Sequence, residues 1–100
     1  MIIYNVTVKV NTEIAEEWLE WMKGEHIPDL MRTGYFIDYN LCYLLEQDER
    51  EGVTYITQYY CKSMEHYNNY IENCATLMRE KVNKKFGGKF ASFRTIMALM

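Results

Sequence analysis

An α+β fold of order βαββαβ, a four-stranded antiparallel sheet with two helices on one face, is the expectation for this chain of 100 residues. Three features carry it. Residues 2–10 alternate between an apolar and a mixed side. Two later stretches alternate in the same way around a polar run, and two others repeat their apolar residues at helical spacing.

The elements follow in order. Ile2, Tyr4, Val6, Val8 and Val10 share one side of the first strand, with Ile3, Asn5, Thr7 and Lys9 on the other. Asn11-Thr12 is expected to cap a helix, and Glu13, Glu16 and Glu17 load its first turns with the charge a helix N-terminus favours. Ile14, Trp18, Trp21 and Met22 recur at helical spacing, so the helix runs over 12–23 and Gly24 ends it. Pro28 opens a short helical piece over 28–33, closed by Gly34. Residues 35–46 form a strand with Tyr35, Ile37, Tyr39, Leu41, Tyr43 and Leu45 on one face and Phe36, Asp38, Asn40, Cys42 and Leu44 on the other. The polar run 47–52 is a hairpin connection to a partner strand over 53–61. Ser63 caps a long helix over 64–85, whose buried stripe is Tyr67, Tyr70, Ile71, Cys74, Leu77, Met78 and Val82. Gly87-Gly88 stop it, and a last strand covers 90–99. Right-handed crossovers place the first and third strands in the centre.

Composition narrows the function classes. Hydrophobic residues at 49% and charged residues at 25% exclude a disordered chain and fit one domain over 1–100. No apolar run approaches the roughly 20 residues that span a bilayer, and the first ten residues lack a basic, cleavable signal pattern. A net charge of -3 argues against nucleic acid as partner. Cys42, Cys61 and Cys74 are odd in number and unclustered, which fits free thiols in a reducing cytoplasm and gives no metal spacing. Charge is unevenly spread. Eleven of fourteen acids lie between Glu13 and Glu51, and six of eleven bases between Arg79 and Arg94. That split suits an anionic ligand or a second copy, or else marks solvated helix faces.

Hairpin symmetry about Glu49 pairs Leu45 with Val53, Tyr43 with Tyr55 and Tyr39 with Tyr59. Six of the nine tyrosines then fall on one side of the sheet, taken as the side the helices cover. Buried phenols need partners, so this side is either a pocket ringed by Tyr39, Tyr43, Tyr55 and Tyr59 with Trp18 and Trp21 as wall, or a core whose hydroxyls reach the rim. The opposite face is expected to carry Ile3, Phe36, Leu44, Ile56 and Ile96, with Asp38 and Arg94 as a polar layer. Nothing in the chain remains to cover it, so a second copy packed sheet to sheet is the expected partner.

The element order, with Trp18 to Met22, then His26-Ile27-Pro28, then Gly34-Tyr35-Phe36, resembles the dimeric α+β barrel superfamily of ferredoxin-like chains. Within it the chain looks most like a bacterial branch of domains of unknown function. The resemblance implies a homodimer with a pocket between helices and sheet. It also implies chemistry of the cofactor-independent monooxygenase or isomerase kind. The haem-degrading branch is not implied. Asn5 lies on the polar face, the third strand ends without a Trp, and the last helix has His66 only in its first turn.

His26 is the candidate proton carrier, since imidazole titrates near working pH, and Asp29 lies one turn away to orient it. His26 closing a helix end is the plainer reading. The expectation is thus a small cytoplasmic homodimer binding a small aromatic or partly apolar molecule, without a cofactor or metal. The alternative is a non-enzymatic binding or assembly module with no small-molecule chemistry.

Overall fold

The computed structural model describes all of residues 1–100. Strand β1 spans Ile2–Val10, β2 Asp38–Tyr43, β3 Val53–Cys61 and β4 Phe90–Ala98. They form one antiparallel sheet in the order β2-β3-β1-β4, so the first and third strands are central, as crossover handedness requires. Tyr39 pairs with Tyr59 and Tyr43 with Tyr55, as the hairpin symmetry anticipates. The ladder ends before Leu45, which is exposed.

The first helical layer departs from expectation. A 3-10 turn, Thr12–Ile14, leads into α1, Ala15–Trp21, and a π turn over Met22–His26 joins it without a break to α2, Ile27–Arg32. Asn11 makes no side-chain cap. Gly24 does not end the helix. It sits inside the π turn, where burial of Met22, Ile27 and Leu30 outweighs the glycine's poor helix propensity. The second layer repeats this design. After the Ser63 cap, which accepts from the His66 N–H, α3 spans Met64–Tyr70, a π turn Ile71–Ala75, and α4 Thr76–Phe86. The extra residue in that turn rotates the buried stripe by one position. Ala75 and Phe86 become core, and Leu77 turns out to 54% exposure. Gly88, at φ +80°, makes the turn into β4.

Two parity expectations fail, for separate reasons. Residues 35–37 lie outside the β2 strand. Gly34 is left-handed (φ +83°), pairing begins at Ile37, whose N–H reaches the Tyr60 carbonyl, and Phe36 turns into the core instead of the open face. In β4, Arg94 pairs with Val6, Ile96 with Tyr4 and Phe90 with Val10, so the even residues face the helices. Arg94 and Ile96 are therefore absent from the open face. That face carries Phe93 and Met97 in their place. Its polar layer is Asn5, Asn40, Gln58 and Tyr60, where Asn40 Nδ2 donates to Tyr60 Oη at 2.7 Å and Gln58 Nε2 to Asn5 Oδ1 at 3.2 Å.

Tyr4 is the hub of the core. Its ring lies 5.5 to 6.0 Å from those of Phe36, Tyr59, Tyr67 and Tyr70, and Phe36 meets Tyr70 edge-on at 4.9 Å. Each such pair adds about 0.5–1.5 kcal/mol beyond its buried area. No helix is long and apolar enough to cross a membrane.

Candidate functional site

Beside that aromatic cluster, between helices and sheet, lies a cavity reaching the β4 edge. It encloses about 470 Å³ of atom-free space including its mouth, of which about 40 Å³ can centre a water molecule. Every layer contributes to its lining. β1 gives Tyr4, Val6 and Val8, β3 gives Tyr59, and α1 gives Trp18. The first π turn gives Met22 and His26. The second layer gives Tyr70, Met78, Arg79 and Val82, and β4 gives Phe90, Ser92 and Arg94. The π turn decides which residue of its segment arrives. With one extra residue after Met22, the buried position falls on His26, and Glu25 stays exposed.

His26 is 8% exposed and stacks on the Trp21 indole at a centroid distance of 4.8 Å. Burial lowers its pKa to about 4, against the pull of Asp29, so the ring is neutral at pH 7. Its Nδ1 has no hydrogen-bond partner. Asp29 does not orient it. That carboxylate is bonded to Arg32 and lies 3.6 Å from Lys81 Nζ, and against the desolvation that would raise its pKa these two cations hold it below the ordinary carboxylate range.

The other expected ligand residues divide. Trp18 and Tyr59 line the cavity. Tyr55 packs on the Trp18 ring at 5.2 Å and meets Tyr43 at 5.8 Å, and both border a separate shallow groove with Leu19, Lys23 and Leu41. Tyr39 is 41% exposed on the edge strand, and Trp21 lies outside the cavity against His26 and Phe86. Much of the anticipated tyrosine ring is thus packed into core or left on the rim. Two cations line the cavity where the sequence did not place them, Arg94 having been expected on the open face. Arg79 donates from Nη2 to Tyr4 Oη at 3.5 Å, a bond that raises the guanidinium pKa, and Arg94 stands at the mouth. The basic run over 79–94 was their signal, but no spacing rule told which of its six cations turned inward.

No group of three His, Cys, Asp or Glu side chains converges in a way that could hold a metal. Asn5 lies on the open face, hydrogen-bonded to Gln58, away from the cavity. The sequence of a family described as a domain of unknown function, DUF4286, matches over residues 1–100. The chain belongs to this family. No curated protein matches it. The DUF4286 chain shares its fold with several solved structures of low identity. HapK from Hahella chejuensis is 7% identical with a TM-score of 0.74, covering 100% of this chain and 93% of that one. The cofactor-independent oxygenase SnoaB from Streptomyces nogalater is 12% identical with a TM-score of 0.67, covering 98% and 91%. A dimeric ferredoxin-like protein from an uncultured marine organism is 13% identical with a TM-score of 0.70, covering 100% and 95%. The ferredoxin-like α+β fold of this DUF4286 domain is the common property.

Proposed function

We propose that this domain is a homodimeric small-molecule protein that binds a small, partly apolar aromatic compound in the cavity between helices and sheet. Its chemistry is of the cofactor-independent oxygenase or isomerase kind, begun by loss of a proton from the bound molecule. The observation that carries this reading is the buried, neutral imidazole of His26 set into an aromatic-walled cavity. A neutral ring has a free lone pair to accept a proton; burial weakens it as a base, and Asp29 offsets part of that loss by favouring the charged form. SnoaB, of the same fold, is described as a cofactor-independent oxygenase, which agrees with this class.

Self-association through the open sheet face belongs to the same reading. Phe93 is 62% exposed there, with Met97 and Leu44 also uncovered, and one similar structure is described as dimeric. A cytoplasmic setting is supported by three free cysteines, one of them buried. The narrowness of the cavity favours the rival reading, an assembly module without ligand chemistry.

Thermal unfolding with a panel of phenols and quinones separates the two. A ligand at a hundred times its dissociation constant adds about 2.7 kcal/mol, and dioxygen uptake or isomerisation of that ligand should vanish in His26→Ala. A panel without any shift would leave the assembly module standing. Undiminished turnover in His26→Ala would remove the proton acceptor.

A further inference from the structure

Three polar atoms around this one cavity lack partners. Trp18 Nε1, Arg79 Nε and His26 Nδ1 are closed off from solvent and unbonded, and all three side chains belong to the cavity lining. Trp18 is 1% exposed and His26 8%. A buried polar group left alone costs about 1–3 kcal/mol. Three around one hollow are a concentration that a bound molecule would relieve. Trp18 Nε1–H and Arg79 Nε–H are donors only, so the missing partner is an acceptor.

Charge points the same way. Arg79 and Arg94 bring two guanidinium groups to the lining, and no carboxylate joins them. The ion pairs of the chain are Arg32–Asp29, Arg50–Asp48 and Lys81–Asp29, so neither cavity arginine is neutralised. A cationic hollow in a molecule of net charge -3 is a local feature and does not reflect the overall balance.

We propose that the cavity is an anion site for a single-ring aromatic carboxylate. Arg79 and Arg94 take the charged oxygens, and a second oxygen accepts from Trp18 Nε1–H. The planar guanidinium fork suits that geometry, and the aromatic wall suits the ring. One ring is the limit of size. The cavity volume of about 40 Å³ is well below the roughly 150 Å³ that holds benzene in an engineered cavity, so entry requires Met22 or Met78 to shift, as unbranched methionines do. This proposal rests on the cavity being a small-molecule site.

The test uses 2-hydroxybenzoate and its uncharged amide, with calorimetric affinity and tryptophan fluorescence read on the same samples at pH 7. Wild type should bind the acid at least tenfold more tightly than the amide. Arg94→Gln, at an exposed position, should weaken the acid about tenfold and so abolish that preference, and Arg94→Lys should restore part of it. Trp18→Phe should weaken both probes alike. Equal affinity of wild type for acid and amide, or a preference that survives in both Arg94→Gln and Arg79→Gln, would overturn the anion site but leave the small-molecule reading intact. Binding of neither probe, nor of any phenol, would overturn both.

Discussion

Arg94 of β4 stands opposite Val6 of β1 in the antiparallel ladder, so its side chain belongs to the helix-covered side of the sheet. That single pairing moves a cation from the expected dimer face to the mouth of the cavity. It also hands the open face to Phe93 and Met97. The lock is the end of the ladder, where Val10 pairs with Phe90 and the Asn11 N–H donates to the Lys89 carbonyl at 2.9 Å. A slip of one residue would reverse every side chain of the strand.

Phe93 is the most exposed aromatic residue of the open face, at 62%. Its replacement in Phe93→Lys should split the dimer while leaving the fold intact. Sedimentation then gives the 12.0 kDa species for the variant and twice that mass for wild type at micromolar concentration. A wild type that already sediments at the monomer mass would contradict the dimer.

His26 makes stability depend on pH in a defined window. Its folded pKa of about 4 lies below the ordinary 6.5, so between these values the unfolded chain holds a proton that the folded chain does not. Stability is therefore complete above about pH 6.5, falls as pH drops toward 4, and loses ~3 kcal/mol across that span. Urea titrations at stepped pH should show this slope, and His26→Leu should flatten it. Asp29, with its pKa held low, loses its contribution only at lower pH and leaves the window clear.

Gly24 and Gly88 should respond oppositely to alanine. Gly24 lies in a continuous helix with nothing within 4 Å of an added Cβ, so Gly24→Ala should raise stability by about 0.4–1 kcal/mol through the unfolded state. Gly88 sits at φ +80°, where Gly88→Ala should lower it by about 1–2 kcal/mol. Thermal melts of the two variants side by side check both signs.

The second π turn also has a signature. Ala75 is 1% exposed and Leu77 54%, so Ala75→Leu should cost about 1–3 kcal/mol by overpacking, whereas Leu77→Ser should stay within about 0.5 kcal/mol of wild type. A large loss in Leu77→Ser would mean that the stripe follows an unbroken α-helix.

Local pattern carried the element order, the strand parity of β1 and β3, the Ser63 cap and the Gly87-Gly88 stop, because each depends on residues a few positions apart. The π turns were partly visible. Apolar residues step by five from Met22 to Ile27, but from Tyr70 the residues Cys74 and Leu77 continue an ordinary α-helical stripe, and only packing buries Ala75 in place of Leu77. The tyrosine-rich side was legible as composition, but not the division of its rings between core, rim and cavity.

What needed the folded chain was the phase of β4 and the inward turn of Phe36. In β4 both alternating sets contain apolar residues, Phe90 and Ile96 on one side and Phe93 and Met97 on the other, so hydrophobicity gives no preference between them. Pairing with β1, at the other end of the chain, decides it, and that contact is a property of register. The site's two arginines depend on the same kind of choice: local sequence supplies the cations, and packing decides which of them meet.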